Sequence, residues 1–277
     1  MSDCFEPSKF IHTRSSIWRM YRDAADEDYL MARFSARSNL IYQFWWNAQQ
    51  AVEKYLKAIL LLNSVPVSNA GHKVLGMYKT AADLAGELLP LLHCPPRFVV
   101  RLSWPNTNPR GFYPVPRFVE LLEINGNPNN RYRAFSVHTY SEYLVYLDEL
   151  CFCLRRIAFP LDMQLTGSNL TARDRLLADR ALQLHPKMGF DSSLQKKQEP
   201  FWNDTFKWCN FAYFPDDCLE AGEYPSWGGS INSDLFLANQ SSQRGENDRK
   251  NAVFWISDRA FPKSLKKEVT DAFSKSS

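Results

Sequence analysis

Leu40-Ile-Tyr-Gln-Phe-Trp-Trp-Asn-Ala-Gln-Gln-Ala-Val-Glu-Lys-Tyr-Leu-Lys-Ala-Ile-Leu-Leu-Leu-Asn63 is the stretch that decides the fold. It contains no Gly or Pro and is rich in strong helix formers, so it reads as one long helix. Ile41, Phe44, Ala48, Ala51, Tyr55, Ala58 and Leu62 recur at three- and four-residue spacing, the pattern of a buried face. A second stripe carries Gln50, Glu53, Lys54 and Lys57. Glu53 stands four residues before Lys57, the favourable order for a helical ion pair.

The flanking segments extend this into a bundle. Ile17 to about Ser35 reads as a first helix, with Ile17, Tyr21, Ala24, Asp28 and Met31 on one face. An ionised Asp28 there needs a partner, because an unpaired buried charge is costly; a Lys on the long helix is the natural candidate. Asn63 to Gly71 breaks the pattern with Pro, Gly and small polar residues. A third helix starts near His72-Lys73-Val74, turning Val74, Met77, Tyr78, Ala81 and Leu84 inward. Phe118 to Ile124 forms a short helix that stops at Asn125-Gly126-Asn127-Pro128. A last helix follows, with Tyr143, Leu147, Leu150, Leu154 and Ile157 in its stripe, until Pro160. Thr139 and Glu142 have the spacing of a capping box at its start.

The string Gln49-Gln50-Ala51-Val52-Glu53-Lys54-Tyr55-Leu56-Lys57-Ala58 resembles the hallmark helix of the HEPN family (higher eukaryotes and prokaryotes nucleotide-binding). Trp18, Ala24 to Asp28, and Ala32 resemble that family's first helix, and His72-Lys73-Val74 is similar to its His-x-Leu element. The resemblance covers roughly residues 1–160. It implies a mainly α fold, an antiparallel HEPN-type four-helix bundle, which also suits the helix count and the short connections.

Residues 161–277 change in composition and read as a smaller C-terminal α+β appendage. Thr171 to His185 is a charged helix and Pro262 to Phe273 a final one. Trp202 to Phe211 partly alternates, as a half-buried strand would, and Ala252 to Ile256 reads as a second strand. Gly228-Gly229 and the polar run Asn239 to Lys250 read as loops.

Bulk properties narrow the function. Lys and Arg number 33 against 30 Asp and Glu, so there is no global electrostatic footprint for nucleic acid, although a local patch is open. In and just after Leu88 to Pro116, Arg97, Arg101, Arg110 and Arg117 are interleaved with Phe98, Trp104, Phe112 and Tyr113. Such interleaving suits single-stranded nucleic acid, or else a surface loop that packs its own aromatics. The six cysteines lack Cys-x-x-Cys spacing and read as reduced thiols of a cytoplasmic protein. The N-terminus lacks the basic-then-apolar order of a secretory signal, and no apolar run is long enough for a bilayer, so no membrane partner is expected. Without a phosphate-binding Gly loop, a dinucleotide fingerprint or a zinc-protease helix, neither cofactor nor metal is expected.

The candidate chemistry lies at Arg133, His138 and Tyr140. Arg133-x4-His138 resembles the Arg-x(4–6)-His motif of HEPN ribonucleases, and Tyr140 fits the longer form found in HEPN toxins. The resemblance implies metal-independent RNA cleavage, with His138 as general acid or base and Arg133 on the scissile phosphate. It further implies a homodimer, because family members often complete the site from two protomers. Tyr140 would be a modification site for a nucleotidyltransferase-type protein partner. Against this stand Ala134, where a small polar residue is usual, and a capping box that leaves Arg133 off the helix. An alternative alignment matches Arg131-Tyr132 to members without nuclease character. The other function class is therefore a nucleotide-binding, RNA-binding or protein-interaction module that uses Gln50, Glu53, Lys57, Arg131 and His72. Whether the chain is an enzyme stays open between these two.

Overall fold

A computed structural model describes residues 13–68, 70–93, 113–132, 135–181, 200–210, 227–232 and 244–274. Its axis is helix α2 (Ile41–Leu62), on which α1 (Asp23–Arg37), α3 (Val74–Ala85), α4 (Val115–Asn125) and α5 (Ser141–Ile157) all pack. The expected apolar stripe of α2, from Ile41 through Leu62, is buried along its whole length. Three residues link α1 to α2, with Asn39 in the left-handed region (φ 55°), a conformation that Asn tolerates. So short a link makes the two helices antiparallel neighbours. Glu123 of α4 accepts a hydrogen bond from the Leu75 amide at 2.8 Å, satisfying a donor in the first turn of α3.

The inner face of α1 differs from expectation. Ala25, Asp26, Tyr29, Leu30, Ala32, Arg33 and Ala36 are buried, whereas Met31 is exposed and Asp28 only half-buried. A π-helical turn, Trp18–Arg22, precedes α1. The extra residue in such a turn rotates everything downstream relative to α-helical spacing counted from Ile17. Asp28 does pair with a lysine of the long helix, Lys54, at 2.5 Å. Burial raises its carboxyl pKa and Lys54 pulls it back.

The rotated face carries two buried ion pairs. Asp26 receives the Arg155 guanidinium through Nε at 2.8 Å and Nη2 at 3.1 Å, and the Tyr55 hydroxyl as well. Arg33 donates to Asp148, which also accepts the Tyr29 hydroxyl at 2.6 Å. Arg33 then reaches the carbonyls of Thr205 and Trp208, at and beyond the end of α7 (Pro200–Lys207). Buried charges persist only when paired and hydrogen-bonded, and these pairs stitch α1 to α5 and to residues 200–210.

Several expectations for the C-terminal part need correcting. Trp202 onward is helical, in α7, instead of a strand. Trp202 and Phe206 lie four apart, a spacing that shares one face in a helix as well as in a strand, so alternation alone was ambiguous. Ala252 to Ile256 lies inside α8 (Arg244–Ala260), a charged helix whose short apolar run carries no periodicity of its own. Of the polar run Asn239 to Lys250, residues 244–250 belong to this helix and residues 239–243 lie outside the described residues. Gly228 and Gly229 form a strand, β4 (Gly228–Ile231), paired antiparallel with β3 (Val137–Tyr140) in the register Val137↔Ile231 and His138↔Ser230. Gly is required at 228: φ is +106°, and a Cβ would stand 2.4 Å from the Thr139 carbonyl oxygen. Thr139 is accordingly a buried strand residue and does not cap α5, which starts at Ser141 after an extended Tyr140.

The charged helix α6 (Ala172–Ala181) and the final helix α9 (Lys263–Ser274) form where expected. Leu265, Val269 and Phe273 of α9 bury a small second core with Phe135 and Val253. A further two-residue pairing joins β1 (Leu92–His93) to β2 (Tyr113–Pro114). Among the described residues no helix is long and apolar enough to cross a membrane.

Candidate functional site

Gln49, Glu53 and Lys57 stand at i, i+4 and i+8 on α2, one above another on a single stripe. Glu53 is almost fully buried (3% exposed). One carboxylate oxygen accepts the Lys57 ammonium at 2.7 Å. The other accepts Gln49 Nε2 at 3.0 Å and meets His72 Nδ1 at 2.9 Å. Gln50 extends the chain by donating to Gln49 Oε1 at 2.7 Å. The structure thus gathers Gln50, Glu53, Lys57 and His72, four of the residues picked out by the sequence, around one carboxylate.

His72 arrives from the connection after α2, just behind Gly71 at φ 55°, and its ring is exposed. A carboxylate on Nδ1 requires a proton there, which leaves Nε2 as the second ring nitrogen to act on a ligand. Lys54 departs from the expected stripe because it turns to Asp28 on α1. Gln49 was overlooked in the sequence, although a Gln four residues before a Glu on one helix face is a recognisable signal. The chain end of α4 closes over it: a Cβ on Gly126 would lie 2.3 Å from Gln49 Cβ and 2.6 Å from the Trp45 carbonyl oxygen.

His138 occupies a separate place. It is the solvent-facing residue of β3, between buried Val137 and Thr139. Its carbonyl accepts Trp45 Nε1 at 3.1 Å, and its ring Nδ1 shares a 2.6 Å hydrogen bond with Ser230 Oγ on β4. Trp45 and Glu53 are eight residues apart on α2, so the two groups of side chains are spaced by about 12 Å of helix rise. Tyr140 is half-buried, its ring 5.5 Å from that of Tyr143. Arg131 belongs to a 3-10 turn, Pro128–Tyr132, that packs on α2. Arg133 lies outside the described residues, as do Arg97, Phe98, Arg101, Trp104, Arg110 and Phe112. Ser230 is a contact that sequence reasoning missed, since a Ser after two glycines carries no local signal of its partner.

The described residues thus form a helical bundle built on one long central helix, with a polar stripe organised around a buried glutamate. Residues 18–101 match the HEPN domain family, and the chain carries a HEPN domain there. The match is shorter than the span of the resemblance read from the sequence. No curated protein and no solved structure matches the chain.

Proposed function

We propose that the protein is a nucleotide- or RNA-binding HEPN module acting as a homodimer, and that Lys57 and His72 receive the anionic part of the ligand. The observation that supports this is the buried Glu53 carboxylate. It fixes an ammonium and an exposed imidazole beside each other, with Gln50 at the margin. Such a pair offers charge-assisted hydrogen bonds to phosphate, with its geometry set before the ligand arrives. Arg131, in the turn Pro128–Tyr132, is a further candidate cation for the ligand. A protein partner with an acidic surface would use the same groups.

Fluorescence anisotropy with a fluorescein-labelled single-stranded RNA tests the reading, with unlabelled ATP as competitor. Lys57→Ala and His72→Ala should each weaken binding by roughly tenfold or more, the scale of one charge-assisted hydrogen bond. Unchanged affinity in both folded variants overturns it. Sedimentation analysis should give twice the mass of one chain.

The exposed His138 held by Ser230 favours a second reading, a metal-independent ribonuclease in which His138 transfers protons and Arg133 holds the phosphate. On that reading Tyr140 is the position that a nucleotidyltransferase-type partner would modify. Cleavage of RNA in EDTA, abolished by His138→Ala and by Arg133→Ala, is its expected result. Full cleavage by either variant refutes it.

A further inference from the structure

We infer that Ser230 is a positioning residue for His138: strand β4, from the C-terminal part of the chain, holds the imidazole that the ribonuclease reading uses in one direction while accommodating both of its tautomers. The inference rests on that reading for its functional consequence, but the contact itself is independent of it. His138 and Ser230 are directly opposed in the antiparallel ladder. Side chains so placed share one face of the sheet with their Cβ atoms about 5 Å apart. A serine hydroxyl is short, so it reaches the nearer ring nitrogen, Nδ1, and leaves Nε2 outermost.

The register of β4 is tied at several points. The Trp227 amide donates to Ser141 Oγ at 3.0 Å, and that hydroxyl donates to the Trp227 carbonyl at 3.1 Å. Gly228 fits where no side chain could, against the Thr139 carbonyl. At the other end Ile231 packs on the main core opposite buried Val137. A slip of one residue would put the side chain at 230 on the opposite face, so the hydroxyl is delivered to His138 by the whole strand.

The choice of partner matters chemically. A carboxylate on Nδ1 would favour the protonated imidazolium. A hydroxyl both donates and accepts, so it can hold the ring with Nδ1 protonated, leaving Nε2 as a base. It can equally hold the ring with Nδ1 bare and Nε2 protonated as an acid. A residue that takes a proton from a ribose 2′-hydroxyl and later delivers one to the leaving oxygen needs both states in one orientation.

Two measurements on the full chain decide this. Long-range 1H–15N correlation of the imidazoles at neutral pH should show the His138 tautomer ratio altered in Ser230→Ala and restored in Ser230→Thr. An unchanged His138 pattern in folded Ser230→Ala overturns the inference. In RNA cleavage assays with EDTA, Ser230→Ala should lower kcat by about three- to tenfold, the scale of one lost hydrogen bond, with KM unchanged and rescue by Ser230→Thr. A loss confined to KM overturns it too. If the wild-type chain does not cleave RNA, the ribonuclease reading fails, while the tautomer measurement still decides the role of Ser230.

Discussion

Replacing Arg33 by Met should remove a large part of the stability of the bundle. Arg33 and Asp148 are both essentially unexposed. Without the guanidinium, Asp148 keeps only the Tyr29 hydroxyl, and its Oδ2 already has no hydrogen-bond partner. Breaking a buried ion pair from one side costs about 3–5 kcal/mol, because the remaining charge is stranded. The Thr205 and Trp208 carbonyls lose their donor at the same time, so residues 200–210 should become sensitive to limited proteolysis. The pH dependence follows from Asp148. Burial holds its carboxyl above the ordinary carboxylate range, with Arg33 and Tyr29 pulling it down. A raised folded pKa means that the folded chain binds this proton more tightly than the unfolded chain. Stability from this group is therefore present at low pH and declines as pH rises from the unfolded value through the folded one. Removing Arg33 lifts the folded value further, and each added unit costs about 1.4 kcal/mol at neutral pH. The deficit of Arg33→Met in urea unfolding should thus be near 4 kcal/mol at pH 7, as scaled above, and distinctly smaller at about pH 5. Arg33→Met with Asp148→Leu should recover most of it. A deficit below about 1 kcal/mol, far under the buried-pair scale, would contradict a buried Arg33–Asp148 pair. So would equal deficits at both pH values, or a double variant no better than the single one.

Other outcomes follow from the same geometry. Gly126→Ala should destabilise the protein by roughly 1–3 kcal/mol, since its Cβ meets backbone and the Cβ of Gln49; an unchanged midpoint in thermal unfolding would contradict the close approach of α4 to α2. Tyr55→Phe removes one donor to Asp26 and should cost about 1–2 kcal/mol. Burial, with Asp26 beside it, pushes the Tyr55 phenol well above its ordinary value, so it stays a neutral donor and this cost should be flat from pH 6 to 9; a cost that vanishes at high pH counts against it. Gly228→Ala should loosen β4 and shift the His138 imidazole signals while leaving those of His72 in place, and the reverse pattern would contradict the β3–β4 register.

How much of this was legible in the sequence depends on the range of the interaction. The stripe of α2, the inner face of α3 and the stripe of α5 are local periodicities; the first is buried as read, and the other two are buried except for half-buried Leu84 and Tyr143. The interior of α1 differs because the π-helical turn shifts the spacing counted from Ile17, and because the polar residues it turns inward have distant partners: Asp26 finds Arg155 and Arg33 finds Asp148, more than a hundred residues away. Local apolarity could not point to them. Asp26, Tyr29 and Arg33 do share a face at three- and four-residue spacing, and that was the available signal. The β3–β4 pair was missed for a similar reason, because a four-residue strand is specified by its partner and here also by Gly228. Of the candidate site, Gln50, Glu53 and Lys57 were picked out on the family-like helix and His72 through the His72-Lys73-Val74 element. Gln49 and Ser230 were not, as their roles come from what they touch.

The five histidines allow one direct test of where ligand binds. Imidazole 1H–13C spectra recorded while single-stranded RNA, and separately ATP, is titrated into the protein would report on each ring, assigned by substitution. The His72 signal should move with saturation, and Lys57→Ala should suppress the movement. Saturable binding with His72 silent would contradict it, most plainly if His138 alone responds.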